Sequence, residues 1–138
     1  TMILADTGPL VALIDRDQGE IHDRCVQAYQ ELKAQPLLTT WSCLTEAMYF
    51  LHDFRGWAGQ NVLFQFLERE ALKLYFSDDF DRQQMAMMME CYQDVPMDFA
   101  DASLVVAAQR TGIHKIFTLD SDFYVYRINK INNFQVIP

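Results

Sequence analysis

The stretch Met2-Ile3-Leu4-Ala5-Asp6-Thr7-Gly8-Pro9-Leu10 decides the fold. Met2 to Ala5 is an apolar run with no helical period, which reads as a buried strand, and Asp6-Thr7-Gly8-Pro9 cuts it off. Pro9 suits the first turn of a helix, where its missing N–H leaves nothing unsatisfied, and Leu10, Leu13 and Ile14 follow at helical spacing. Strand therefore runs directly into helix. Outward from there the alternation repeats. Ile21, Cys25, Ala28, Tyr29 and Leu32 predict a second helix, ending before Pro36, and Leu37-Leu38-Thr39-Thr40 a second strand. Ser42 is the expected N-cap of a helix carrying Leu44, Ala47, Met48 and Leu51, which ends near Gly56.

Val62, Leu63, Phe66 and Leu67 give helical spacing between Trp57 and Glu70, after which Leu72 to Phe76 alternates like a strand. Ser77 or Asp78 caps the next helix, whose Met85, Met88, Met89 and Tyr92 form an apolar stripe of the kind that fills cores. Beyond Pro96, Asp98 to Thr111 reads as a helix stopped by Gly112, followed by strands at Lys115 to Thr118 and Phe134 to Ile137. Strands separated by helices imply an α/β fold with a mostly parallel sheet, since parallel neighbours need a crossover. In such sheets ligands bind beyond the carboxyl ends of the strands, where strand order reverses.

At 138 residues and 16.1 kDa the chain is expected to form one domain over 1–138. A composition 51% hydrophobic supplies a core and argues against disorder. No apolar run approaches the roughly 20 residues of a membrane span, and the first residues lack a secretory pattern, so a soluble, cytoplasmic protein is expected. Cys25, Cys43 and Cys91 have no C-x-x-C spacing and read as buried reduced thiols. A net charge of -8 opposes nucleic acid unless local basic groups or bound cations reverse it.

The acids themselves are unevenly placed. Asp6 and Asp120 follow two predicted strands at the same rim. Glu46 sits in Cys43-Leu44-Thr45-Glu46-Ala47-Met48, where a carboxylate among apolar neighbours needs a partner. Asp98 and Asp101 fall at the N-cap and third positions of their helix, which the helix dipole favours in any case. Carboxylates about 4 Å apart repel by about 4 kcal/mol at an effective dielectric of 20. A hard divalent cation, Mg²⁺ or Mn²⁺, resolves such a conflict with oxygen ligands and water. Zinc would want histidine or cysteine; His22, His52 and His114 are scattered, and the His22/Cys25 pair reads as incidental.

Four blocks together resemble the PIN-domain nucleases, and within them VapC-type toxins of toxin-antitoxin pairs: Ile3 to Leu10, Leu44-Thr45-Glu46-Ala47, Pro96 to Leu104 (PMDFADASL), and Phe117-Thr118-Leu119-Asp120-Ser121-Asp122-Phe123. The resemblance covers nearly the whole chain. It implies a three-layer αβα, Rossmann-like PIN fold and Mg²⁺- or Mn²⁺-dependent cleavage of RNA. The family acids then fall on Asp6, Glu46, Asp101 and Asp120, with Asp98 an extra acid and Asp122 able to share or take the role of Asp120. Asp6, Asp101 and Asp120 would be metal ligands, and Glu46 would hold or deprotonate the attacking water. Thr7, Ser103 and Thr118 are neighbouring hydroxyls that could orient carboxylates or substrate.

Arg127 and Lys130, beside Tyr124 and Tyr126, form a basic strip with rings able to stack on unpaired bases of single-stranded RNA. A cognate small antitoxin and a homodimer are the partners the resemblance implies, and exposed aromatics such as Trp41, Phe54 and Trp57 would exceed what one core hides. Two other readings remain: a receiver-like phosphoacceptor domain, which expects an acid pair after the first strand and a lysine near Asp120, and a catalytically inactive PIN module that binds protein.

Overall fold

In the computed structural model, which describes residues 1–138, strand β1 (Ile3–Ala5) lies at the centre of a five-stranded sheet. Its neighbours are β2 (Leu37–Thr40) on one side and β4 (Lys115–Phe117) on the other. β3 (Leu72–Tyr75) and β7 (Gln135–Ile137) form the edges, giving the order β3-β2-β1-β4-β7. Every pairing in this sheet is parallel. Helices α1 (Thr7–Ile14), α2 (Glu20–Glu31) and α3 (Trp41–Glu68) connect β1 to β2 to β3, all moving one way. Helices α4 (Asp79–Cys91) and α5 (Phe99–Thr111) then carry the chain back across β2 and β1 to β4. Crossovers of one hand require helices on the opposite face once direction reverses.

The cores follow that rule. Alternate strand residues face opposite ways, as period two dictates. Ile3, Ala5, Leu37 and Phe117 pack with Leu10, Val11, Cys25, Leu51 and Leu63 from α1 to α3. Leu4, Leu38 and Ile116 pack with Met85 of α4 and with Ala100, Ala102, Leu104, Val105 and Ala108 of α5. Met88, Met89 and Tyr92 join the second cluster, so the methionine stripe is core.

Several expectations need correction. The N-cap of α3 is Thr40, not Ser42: Trp41 is already helical, and the Thr40 hydroxyl accepts from the Cys43 N–H at 3.3 Å. α3 runs past Gly56, but that residue breaks it with φ 63° and ψ -154°, a conformation that only glycine adopts without strain. Cys91, the last residue of α4, is exposed and lines a surface cavity; only Cys25 and Cys43 are buried. The segment between β4 and β7 contains a turn of 3-10 helix (Ser121–Tyr124) and a two-stranded antiparallel ribbon, β5 (Arg127–Ile128) with β6 (Asn132–Asn133). Both are too short to leave a periodic signal. No helix is long and apolar enough to cross a membrane.

Candidate functional site

β1 and β4 are neighbours, yet one is the first strand and the other follows α5, so the reversal of strand order lies between them. Ala5 pairs with Phe117, and the Asp6 N–H then donates to the Phe117 carbonyl at 2.9 Å. This register sets Asp6 beside Thr118 at the carboxyl edge. One Asp6 carboxylate oxygen accepts from the Thr7 N–H and the other from the Thr118 hydroxyl, each at 2.8 Å. The same Thr118 oxygen accepts from the Asp120 N–H at 3.0 Å, and an Asp120 carboxylate oxygen accepts from the Asp122 N–H at 2.9 Å. Thr7, at the start of α1, donates its hydroxyl to Glu46 of α3 at 2.8 Å. That bond is how Glu46, only half-buried, is satisfied.

α5 adds the rest. Asp98 and Asp101 form a capping box: the Asp101 N–H donates to Asp98 at 2.7 Å, and the Asp98 N–H donates back at 3.4 Å. The same Asp101 oxygen also accepts from the hydroxyl of Tyr126, a fully buried ring, at 2.9 Å. Asp6, Thr7, Glu46, Asp98, Asp101 and Asp120 thus line one cavity of about 430 Å³, with Ile21, Phe50, Phe54 and Leu119 as apolar walls.

No lysine, arginine or histidine lines it, and none of the ion pairs, which Arg55, Arg82 and Arg110 make, involves these acids. Burial raises the pKa of Asp6 to about 6; the Thr118 and Thr7 hydrogen bonds oppose the rise, while Asp120 and Glu46 add to it. Asp101 is raised too, first by burial, against the Tyr126 hydrogen bond, then by Asp98 and Asp6. Asp122 is raised by desolvation and by Asp120. Burial pushes the Cys43 thiol beside Asp6 up to about 12, so it stays protonated and inert. These carboxylates repel one another with no basic side chain among them.

All the donors are oxygens, a set suited to a hard divalent ion and not to zinc. No three carboxylates, imidazoles or thiols are arranged to enclose an ion unaided. An ion held by these carboxylates would take its remaining ligands from water or from phosphate.

The other nominated residues are placed differently. Ser103 donates to the Ala100 carbonyl at 2.6 Å and meets Thr40 at 2.7 Å, so it ties α5 to β2 and turns away from the acids. Asp122 lies outside the cavity wall. The basic strip is not one strip: Arg127 and Lys130 line a separate cavity with Cys91 and Tyr92, Tyr124 lines another, and Tyr126 is buried. Arg127 donates to the carbonyls of Tyr124, Val125 and Tyr126. The anchoring role of Tyr126 had no local signal in the sequence, because its partner is 25 residues away.

The PIN domain family model matches residues 3–129. No curated protein sequence matches the chain. Among solved structures, a VapC20 toxin of Mycobacterium tuberculosis, described as cleaving the sarcin-ricin loop, superposes with a TM-score of 0.78 at 14% identity, over 100% of both chains. VapBC2 of Rickettsia felis, solved with a fragment of its promoter DNA, gives 0.65 at 14% identity over 99% of this chain and 97% of that one. A toxin-antitoxin complex from Klebsiella pneumoniae gives 0.61 at 18% identity, over 88% and 89%. At these identities the likeness is one of fold.

Proposed function

Since the chain belongs to the PIN-domain family, we propose that it is a divalent-metal-dependent endoribonuclease and the toxin of a toxin-antitoxin pair. The observation that carries this reading is the convergence of Asp6, Glu46, Asp101 and Asp120, from four separate segments, on one cavity at the reversal of strand order. Asp6, Asp101 and Asp120 are the residues that would hold Mg²⁺ or Mn²⁺. Bound there, the cation supplies charge neutralisation at the phosphate and acidification of water.

The chain's own residues then divide the work. Thr118 and the Thr7 N–H hold both Asp6 oxygens in place, and Tyr126 fixes Asp101. Such supports set ligand orientation and typically change metal affinity or activity 10–100-fold. Glu46 keeps one oxygen on Thr7 and has the other free to accept a proton from the attacking water. Asp98 caps α5 and adds negative charge at the mouth. Water that gives its proton to Glu46 would attack phosphorus as the opposite P–O ester bond breaks and the leaving oxygen takes up a proton from solvent, so no side-chain nucleophile is needed, and none lines the cavity except the Thr7 hydroxyl already given to Glu46.

Single-stranded or loop RNA is the substrate class, a small antitoxin the partner, and a homodimer the expected assembly. The fold of complexes from Rickettsia felis and Klebsiella pneumoniae supports the antitoxin. A receiver-like reading loses its ground, because no lysine lines the cavity. The test is incubation with Mn²⁺ and mixed cellular RNA, against EDTA and an Asp6→Asn control. Cleavage only by the wild type with Mn²⁺ is expected; equal cleavage by Asp6→Asn overturns the assignment.

A further inference from the structure

RNA carries a negative charge at every linkage, yet the cavity that gathers the acids offers no cation to the strand on either side of the scissile phosphate. Its wall at Leu119 and Asp120 is shared with a second cavity of about 160 Å³. There stand Arg24 of α2, Ser121, and Tyr124 from the 3-10 turn. We infer that this neighbouring cavity is a nucleotide subsite, in which Arg24 holds the backbone phosphate next to the scissile one and Tyr124 stacks on the attached base. The inference rests on the nuclease reading and specifies where the strand leaves the acids.

Three observations single out this cavity. It adjoins the acidic one across two shared lining residues, whereas the cavity of Arg127 and Lys130 shares none. Arg24 takes part in none of the protein's ion pairs, although Asp120 lines the same wall, so its guanidinium is uncommitted. Tyr124 is 62% exposed and pairs with no other ring, unlike Phe123 and Tyr126 beside it, which meet other rings edge to face inside the core. A planar guanidinium and an open aromatic face at one cleft match the two chemical parts of an unpaired nucleotide, phosphate and base. Without Arg24, five carboxylates would face the strand with no compensating charge beside them.

The experiment is steady-state cleavage of a single-stranded RNA oligonucleotide with Mn²⁺, over a range of KCl, with the wild type, Arg24→Gln, Arg24→Lys, Tyr124→Phe and Tyr124→Leu. Arg24→Gln is expected to raise KM about tenfold with kcat unchanged and to reduce the slope of log KM against log salt by about 0.7, the value of one single-strand phosphate contact. Arg24→Lys should recover most of the loss, since a point charge still meets phosphate. Tyr124→Leu should raise KM about tenfold and Tyr124→Phe should not, because the ring and not the hydroxyl does the stacking. An oligonucleotide with a neutral methylphosphonate at the neighbouring linkage should erase the difference between wild type and Arg24→Gln. This last arm decides the matter even if a variant folds poorly. A KM and salt slope unmoved in Arg24→Gln overturn the subsite while wild-type cleavage keeps the nuclease reading. A wild type that neither cleaves nor binds RNA overturns both.

Discussion

Asp6 is held under opposing demands. Two hydrogen bonds favour its ionised form, but burial and the nearby Asp120 and Glu46 outweigh them and raise its pKa to about 6. The folded chain therefore binds a proton more tightly than the unfolded one, whose aspartate titrates near 3.8. Stability from this group is fully present below pH 3.8 and is lost as pH rises through about 6. Asp6→Asn removes that loss: in EDTA at pH 7 it is expected to stabilise the fold by about 1–3 kcal/mol while abolishing cleavage. Thermal melts read the effect, and the gain should vanish near pH 4; a variant no more stable than wild type at pH 7 contradicts the repulsion. Thr118→Val takes one hydrogen bond from Asp6 and the acceptor from the Asp120 N–H. Cleavage should fall 10–100-fold and recover in part at higher Mn²⁺, as for a ligand left unsupported. Both acids were legible in the sequence because strand ends are. Their supports were not, since Thr118 and Asp6 are 112 residues apart and meet only through the register of β1 with β4.

Among elements, α4 and α5 meet through a charged contact that has no part in the site. Asp81, completely buried, accepts from the Arg110 guanidinium at 2.7 Å and from the Tyr75 hydroxyl at 2.5 Å. Removing one partner of such a pair leaves a charge without solvent. Arg110→Met is expected to destabilise the protein by about 3 kcal/mol, with cleavage per folded molecule unchanged. Urea unfolding measures it, and a loss under about 1 kcal/mol would place the pair with ordinary surface ion pairs. The helices themselves were readable from apolar spacing, and the stops at Gly112 and the break at Gly56 from glycine alone. The cap of α3 was misplaced because Ser42 and Thr40 are equally good caps by type. Only the extended geometry that Thr40 inherits from β2 selects it. The exposure of Cys91 was not legible, because cysteine spacing tells a reduced thiol from a bridged one and says nothing of burial at the last residue of a helix.

At the scale of the whole molecule, a charge of -8 and a cavity of unpaired acids create a field that attracts cations of any kind, metal or side chain. Exposed aromatic residues stand near that cavity: Phe50 and Phe54 of α3 line it, their rings 6.1 Å apart, and Tyr49, Trp57 and Phe64 extend the same helix's apolar surface. Contiguous apolar surface rimmed by charge fits a partner. An antitoxin that lays an amphipathic helix along α2 and α3 would gain affinity from these rings, and a basic residue beyond it would reach the carboxylates. Arginine pairs bidentately with carboxylate, so it would occupy the ground the metal needs. Inhibition and metal should then compete. Titrating Mn²⁺ into the toxin-antitoxin complex should restore cleavage, and replacing the inserted arginine with alanine should restore it at low Mn²⁺ while the complex persists, because the aromatic contacts remain. Trp57→Ser, at an exposed ring outside the cavity wall, should act the other way, weakening the complex with little effect on cleavage by the free chain. A complex whose inhibition ignores both Mn²⁺ and the arginine would mean that the antitoxin silences the site by covering it and not by neutralising it.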